Sequence, residues 1–165
     1  MIKNSHCSFC GHPFSEGQAW PRTCRNCGQT TFLNPLPVVV MLVPVGDGLL
    51  QIRRGIQPGL GKWAFPGGYV NLGETWQEAG AREVLEETHV ELDPAEIREF
   101  RVRSAPDGTL LIFGLAVPRS AADLPAFVAT DETTERAVRT ELTGMAFQLH
   151  AEAGTAFFNG EGDSR

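Results

Sequence analysis

Four cysteines near the start of the chain have the spacing of metal ligands. They form two Cys-x-x-Cys-Gly repeats with thirteen residues between the pairs, at Cys7, Cys10, Cys24 and Cys27. Two thiolates separated by two residues can bind one metal from a tight turn, and two such turns supply the four sulfur ligands of structural zinc. Two disulfides or a redox dithiol are the alternatives. The duplicated motif and the lack of an apolar signal-peptide core in the first residues favour zinc.

Three glutamates form a second candidate metal site. Glu83, Glu86 and Glu87 are at positions i, i+3 and i+4, so in a helix their side chains project from one face within a turn. Three like charges at this spacing repel one another, but a hard divalent cation such as Mg²⁺ or Mn²⁺ would bind among their oxygens. A solvated acidic helix face is the alternative. The residues upstream decide between the two interpretations.

These glutamates require a helix, and residues 74–88 have its pattern. Thr75 can cap its N-terminus, with Glu78 three residues later as in a capping box. Strands are predicted at residues 38–43, 49–53, 97–102, 110–117 and 137–142, and a closing helix at residues 145–158. A glycine-rich loop is expected over residues 55–68. Strands before and after a central helix predict an α/β or α+β fold.

From residue 68 to residue 90 the sequence resembles the Nudix hydrolase signature. The matching positions are Gly68, Glu74, Arg82, Glu83, Val84, Glu86, Glu87 and Val90. The one departure is His89, where the family has glycine. That glycine normally follows the helix with a positive φ, which strains most other residues, although histidine is among those that tolerate it better. The resemblance implies the Nudix α/β/α sandwich with a mixed sheet.

The resemblance also implies a role for each position of the signature. The carboxylates of Glu83, Glu86 and Glu87 would bind Mg²⁺ or Mn²⁺, together with the backbone carbonyl of Gly68. Arg82 and Glu74 would pair to hold the loop against the helix. Members of the family hydrolyse a nucleoside diphosphate linked to another moiety, by attack of water on the pyrophosphate. Glu86 is the first candidate for the general base, with Glu132 and Glu135 as alternatives.

Residues upstream of the signature are candidates for substrate contacts. Arg53 and Arg54 leave a strand beside the glycine-rich loop and could bind phosphate oxygens. At most one of them is expected to do so, because neighbours on a strand point to opposite faces. Trp63 and Phe65 could stack on a base or a flavin ring, or they could cover the core beside the loop.

The position of the cysteine repeat narrows the resemblance. A four-cysteine ribbon directly before the signature is similar to NADH pyrophosphatases and to FAD or ADP-ribose pyrophosphatases with a short ribbon. The Ser-Gln-Pro-Trp-Trp run of the NADH enzymes is absent from this sequence. We therefore expect a zinc ribbon at residues 1–34, a Nudix domain at 35–160 and a disordered tail at 161–165. FAD and ADP-ribose are the preferred substrates, ahead of NADH.

Other functions stay open as alternatives. The same machinery could act on CoA or on nucleoside triphosphates, because the pocket loops decide the substrate. A non-catalytic nucleotide-sensing or nucleic-acid-binding module, or an isomerase, would be expected to have an altered signature. Every carboxylate of the signature is present here, and this favours a hydrolase.

Composition limits the partners. The chain has 14 basic and 20 acidic residues, net charge −6, which disfavours a protein that grips a phosphate backbone. Its longest apolar run, residues 36–45, is shorter than the roughly 20 residues that span a bilayer. We expect a cytoplasmic enzyme with a small nucleotide substrate, no membrane contact and no nucleic-acid partner. The family resemblance implies a homodimer.

Overall fold

The structure is a computed structural model and describes residues 3–161. The chain divides into two units, Met1–Pro35 and Leu36–Arg165. In the first unit, β1 (Arg22–Thr23) pairs antiparallel with β2 (Thr30–Thr31). Within the described part of the chain, no helix is long and apolar enough to cross a membrane.

The second unit contains eight further strands and two helices. The strands are β3 (Leu36–Leu42), β4 (Pro44–Val45), β5 (Gly48–Arg54), β6 (Trp63–Ala64), β7 (Gly67–Tyr69), β8 (Arg98–Ser104), β9 (Thr109–Leu115) and β10 (Thr133–Arg139). The helices are α1 (Trp76–Thr88) and α2 (Gln148–Phe158), with single 3-10 turns at Pro94–Glu96 and Ala121–Asp123.

Strands β3 to β10 form two sheets. The first has the order β7-β3-β9-β8, and β3 runs parallel to β9 but antiparallel to β7, so the sheet is mixed. The second has the order β10-β5-β4, with β6 also paired to β5. The pairing of β3 confirms the mixed sheet that the family resemblance implies.

Strand β3 shows how the sequence builds the layers. Val39 and Met41 belong to an apolar cluster that packs on α1, whereas Val40 and Leu42 belong to a second cluster that includes Ala153 of α2. Because successive side chains of a strand point to opposite faces, this near-continuous apolar run is buried by one helix on each side. The resulting helix–sheet–helix order confirms the predicted α/β/α sandwich.

Helix α1 begins where its sequence predicts. Thr75 is the N-cap, its hydroxyl accepts from the Glu78 amide, and the Glu78 carboxylate accepts from the Thr75 amide at 2.7 Å. This is the expected capping box. Gly80, which weakens a helix interior, lies against Met41: a Cβ at Gly80 would be 2.6 Å from the Met41 sulfur. The glycine lets the helix approach the sheet closely.

Two predicted boundaries near the C-terminus are wrong. The last strand covers Thr133–Arg139 rather than residues 137–142, because its polar first half pairs with β5, with a register shift between Thr133 and Glu135. Helix α2 begins at Gln148 rather than at residue 145. The residues before it are extended, since Met145 bridges Trp63 and the Ala146 amide donates to the Trp63 carbonyl at 2.7 Å. Of the predicted tail, residues 162–165 lie outside the described part.

Candidate metal centres and active site

The four cysteines lie close together. All four sulfur atoms are within 4.8 Å of one another. The thiols are free, and the shortest separations are 3.7 Å, from Cys7 to Cys27 and from Cys10 to Cys24. Four thiol ligands at these separations suit one tetrahedral zinc ion. The two-disulfide alternative has no support in this arrangement.

The two cysteine turns have the same backbone pattern. In the first turn the Gly11 amide donates to the Cys7 carbonyl, and in the second the Gly28 amide donates to the Cys24 carbonyl, both at 2.9 Å. Both glycines have a positive φ, 70° and 74°, which L side chains rarely adopt. The glycine of each repeat is therefore required by the turn that presents the sulfurs.

The second candidate centre lies between α1 and β7. The Glu87 carboxylate accepts a hydrogen bond from the Gly67 amide at 2.9 Å. The Glu83 carboxylate lies directly against Gly68, where a Cβ would be 2.5 Å from its carboxyl carbon. Only glycine at position 68 leaves room for this carboxylate beside the backbone. The Gly68 carbonyl and the helix carboxylates are the oxygen donors that Mg²⁺ and Mn²⁺ prefer, so the residues present fit such an ion.

Arg82 connects the loop to the helix. Its Nε and Nη2 atoms donate to the two carboxylate oxygens of Glu74 at 3.2 and 2.9 Å, and Nη2 also donates to the Tyr69 carbonyl. Its Nη1 atom donates to Glu83 at 2.7 Å and to Glu86 at 3.2 Å. The bidentate pair holds the pKa of Glu74 below its ordinary value. The structure thus brings Arg82 and Glu74 together at the position that the signature assigns to them.

Burial disfavours the ionised form of two of the glutamates. It raises the pKa of Glu87 to about 8, and the charge of Glu83 adds to this effect. Burial also raises the pKa of Glu83. A carboxylate in this position is stabilised in its ionised form by a nearby cation. The third member, Glu86, has a side chain that is 58% exposed.

The carboxylates are less closely grouped than the cysteines. In the part of the chain that the structure describes, only the cysteine cluster brings three or more ligand atoms within 4.8 Å of one another. The glutamate oxygens instead point to separate partners, Gly67 for Glu87 and Arg82 for Glu83 and Glu86. The structure places the three glutamates on one helix face beside Gly68, but it does not converge their oxygens on one point.

The two neighbouring arginines point in different directions. Arg53 forms an ion pair with Glu135 at 2.8 Å and lies 4.8 Å from the centre of the Trp63 ring. Arg54 donates to the Pro58 carbonyl at 2.6 Å, and its charge lowers the pKa of the buried Glu87 against the effect of burial. Arg54 is therefore the arginine on the carboxylate side, and Arg53 belongs to the opposite face of the strand.

The two aromatic candidates are core residues. Trp63 is 9% exposed, and two guanidinium groups, those of Arg53 and Arg139, lie 4.8 and 4.5 Å from its ring centre. Phe65 is 1% exposed and stacks on His150 with 5.9 Å between ring centres. Both rings are buried in the described structure, and stacking of a base or flavin on them stays a prediction. Their alternative assignment as core cover agrees with the structure.

The two acidic candidates after the sheet also differ. The carboxylate of Glu132 is close enough to add to the effect of burial on the pKa of Glu83 and Glu87. Glu135 is paired with Arg53 instead. Of the two, only Glu132 lies on the side of the helix carboxylates.

The end of α1 contains a contact that sequence reasoning missed. Arg136 of β10 donates to the Thr88 carbonyl at 2.6 Å and to the Pro125 carbonyl at 2.7 Å. Its guanidinium lies over Phe127, whose ring contacts His89. Acidic side chains near the C-terminal end of a helix are unfavourable, and a cation at the last carbonyls offsets them. The helix has no basic residue in its own last turn, so this arginine comes from another strand.

His89 adopts the conformation that the missing glycine would have. Its φ is 62° and its ψ is 11°, and its amide still donates to the Leu85 carbonyl at 2.8 Å. The departure from the signature therefore keeps the backbone shape of the helix end, with a non-glycine residue in the left-handed region.

Comparison with known proteins places these features in a family. The model of the NUDIX domain matches residues 34–144. The chain belongs to the Nudix family. The match includes helix α1 with its glutamates, the Gly67–Gly68 segment, and Arg53 and Arg54. Nudix enzymes use divalent metals.

Among curated Nudix relatives, the NAD-capped RNA hydrolase NudC of Edwardsiella ictaluri is 32% identical over 87 residues, 52% of this chain and 34% of that protein. The chain thus spans about a third of the length of the curated relatives that it matches. A Nudix hydrolase structure from Nitrosomonas europaea has a TM-score of 0.73 at 24% identity, covering 98% of this chain and 94% of that chain. It shows the shared fold.

A further similar structure contains a nucleotide and a metal ion. It is a bifunctional NMN adenylyltransferase/ADP ribose pyrophosphatase from Francisella tularensis, complexed with AMP and a manganese ion. Its TM-score is 0.66 at 28% identity, and the match covers 79% of this chain and 43% of that chain.

Proposed function

We propose that this Nudix chain is a metal-dependent pyrophosphohydrolase. Its substrate would be a nucleoside diphosphate linked to a second moiety, of the ADP-ribose or FAD type, and its products AMP and a phosphorylated remainder. The observation that carries the proposal is the position of Glu83 and Glu87 against the backbone of Gly68 and Gly67. This arrangement places carboxylates next to the backbone of strand β7, which suits a site for Mg²⁺ or Mn²⁺ and a pyrophosphate.

Each residue of the site has a proposed task. Glu83, Glu86, Glu87 and the Gly68 carbonyl would hold the divalent ion, which stabilises negative charge on the phosphoryl oxygens when bound. Arg82 and Glu74 hold the loop in place. Glu86, the most exposed of the three glutamates, is our first candidate for the group that accepts the proton of the attacking water, and Glu132 is the second. Glu135, which forms an ion pair with Arg53, is the third candidate.

The similarity to the Francisella tularensis structure supports an ADP-ribose-type substrate. The curated relatives named NAD-capped RNA hydrolase support a second candidate, an NAD-type pyrophosphate that is free or attached to RNA. Nucleic acid therefore enters as a possible carrier of the substrate, although the net charge of −6 argues against a large contact with an RNA backbone.

The cysteine cluster has a separate task in this proposal. Four sulfur atoms within 4.8 Å would bind one structural zinc ion and stabilise the first unit, which is too small to build a large apolar core. We propose that residues 1–34 are a zinc ribbon and that residues 35–160 are the catalytic domain. A homodimer and a cytoplasmic location stay predictions.

The experiment that tests the function is a substrate panel. ADP-ribose, FAD, NADH, NAD-capped RNA, CoA and dinucleoside polyphosphates are each incubated with the zinc-loaded protein, with Mg²⁺, Mn²⁺ or a chelator. We expect AMP from ADP-ribose or FAD only when a divalent ion is present, and ¹⁸O-enriched water shows which phosphorus is attacked. No product from any of these compounds would overturn the proposal.

The arginine pair provides a matched test of the substrate side. We expect Arg54→Ala to raise KM about tenfold, as loss of one charged phosphate contact would. Arg53→Ala is the control on the same strand, since its side chain is engaged by Glu135 and Trp63. An equal effect of the two substitutions would contradict the assignment of Arg54.

A further inference from the structure

Of the four histidines in the sequence, only His150 is buried, and the proposed mechanism does not use it. It lies in the first turn of α2 and is 6% exposed. Its ring is surrounded by the rings of Phe65, Phe113 and Phe147, with centres 4.9 to 5.9 Å away. A buried polar ring costs free energy unless its nitrogen atoms have partners. Its contacts therefore indicate what it does.

One contact is a hydrogen bond to the backbone. The Phe65 amide donates to Nδ1 of His150 at 3.2 Å, in a fully buried position. Nδ1 can accept only in the neutral tautomer that has its proton on Nε2. Burial, and secondarily the positive charge of Arg54, lowers the pKa of His150 to about 3, so the ring is neutral at ordinary pH.

The segment that follows Phe65 leads directly to the metal candidate Gly68. Residues 65–67 are bonded to three different elements, and Gly67 and Gly68 also pair with Val40 and Val39 of β3 in the sheet. The Phe65 amide is bonded to His150 of α2, the Pro66 carbonyl accepts from the Met41 amide of β3 at 2.8 Å, and the Gly67 amide donates to Glu87 of α1. The segment has no freedom to shift unless at least one of these bonds breaks.

We propose that His150 is a positioning residue, which fixes the backbone of residues 65–68 so that Gly67 and Gly68 stay against the carboxylates of Glu87 and Glu83. The inference rests on the proposed metal site and adds α2 to the elements that build it. The ring acts through its acceptor nitrogen, whereas its three aromatic neighbours contribute stability to the core. Loss of the acceptor would leave the Phe65 amide buried without a partner.

Two substitutions separate these contributions. His150→Phe keeps an aromatic ring among the three phenylalanines but has no acceptor. His150→Asn loses the ring but places an amide oxygen near the position of Nδ1. We expect both variants of the full, zinc-loaded chain to have a lower Tm. Only H150F is expected to bind Mn²⁺ about tenfold more weakly, which corresponds to about 1.4 kcal/mol, and to lose about tenfold in kcat.

A readout without metal or substrate keeps the inference independent of the proposed function. Hydrogen exchange of the Gly67 amide is measured by NMR and divided by that of the Leu50 amide, which is bonded to Val43 in the core. We expect H150F to raise this ratio about tenfold and H150N to leave it within about threefold. His150→Leu repeats the test if H150F does not fold.

The outcomes are distinct. Equal exchange ratios in H150F and the unsubstituted protein, or equal losses in H150F and H150N, would mean that His150 only fills the core and would overturn the inference. If no Mn²⁺ binds and no nucleotide is cleaved, the proposed function fails. The exchange ratio then still decides whether His150 holds the loop.

Discussion

The cysteine cluster and the carboxylate centre differ in how their ligands are held. The cysteines are held locally: each turn closes on itself through bonds such as the one from Gly11 to Cys7. The glutamates depend on distant partners, since Glu87 bonds to Gly67 and Arg82 connects Glu83 with Glu74. The sulfur atoms are accordingly within 4.8 Å of one another, whereas the carboxylate oxygens are not. Motif spacing predicts the arrangement of ligands well where the hydrogen bonds that hold them lie within the motif.

The difference also concerns charge. Three carboxylates on one helix face repel one another, and Arg82 Nη1 lies between two of them, 2.7 Å from Glu83 and 3.2 Å from Glu86. This guanidinium supplies part of the positive charge that the face requires. We therefore expect that substitutions in one centre can abolish its metal binding without changing metal binding at the other.

The largest expected effect is on catalysis. Glu83→Gln and Glu86→Gln each remove a charged oxygen that we propose as a metal ligand, so we expect kcat to fall roughly 100-fold or more with the fold and the zinc content unchanged. Turnover is measured at saturating Mn²⁺ on the best substrate of the panel, and Glu96→Gln, on the exposed turn after α1, is the control. A loss of less than about threefold would show that the helix does not carry the reaction.

The next effect concerns zinc. Cys24→Ser removes one of four sulfur ligands, so we expect bound zinc to fall from about one equivalent to less than about a tenth. Turnover is expected to stay within about fivefold. Metal analysis, circular dichroism and the activity assay together check this, with Arg25→Ser in the same turn as the control. Loss of activity as severe as in E83Q would contradict the independence of the two centres.

A smaller effect is expected from pH. The pKa of His150 is about 3 in the folded protein and about 6.5 when unfolded, because burial disfavours the charged ring. As the pH falls, the unfolded state therefore binds a proton at His150 before the folded state does. The free energy of unfolding is unaffected by this group well above pH 6.5 and decreases as the pH falls from 6.5 towards 3. Between pH 7 and pH 5 we expect proton binding at His150 to lower the free energy of unfolding by about 2 kcal/mol.

Chemical denaturation at pH 7, 6 and 5 measures this decline. H150F lacks the titrating group, so the free-energy difference between it and the unsubstituted protein should narrow by the same amount. A difference that does not change with pH would show that folding does not lower the pKa of His150.

The smallest effect compares two backbone positions. His89 and Gly28 both have a left-handed conformation, with φ of 62° and 74°. Because a side chain is strained there, we expect His89→Gly to stabilise the second unit by up to about 1 kcal/mol, less the lost contact with Phe127. Gly28→Ala should weaken zinc retention by a similar amount.

Thermal unfolding and the rate of zinc release to a chelator measure these two changes. Turnover of H89G is expected to stay within about twofold, since the helix end already has the required shape. A lower Tm in H89G would show that the His89 ring contributes more than its backbone conformation costs.

Much of the fold could be predicted because several residues carry local signals. The Thr75–Glu78 capping box placed the start of α1. The side chains of β3 alternate between two apolar clusters because its apolar run is buried on both faces of the sheet. The start of β10 could not be placed, since its polar residues at 133–136 become a strand only by pairing with β5. The same holds for residues 145–147, which extend along Trp63.

The sequence by itself predicted the two sets of candidate ligands, because their chemistry lies in residue types repeated at short intervals. It also determined the family and the helix that carries the glutamates. Only the tertiary structure decided which arginine faces the carboxylates, which acidic residue lies beside them, and that Phe65 is in the core. It also revealed the contacts of His150 with Phe65 and of Arg136 with Thr88, which cross long sequence separations that no local pattern records.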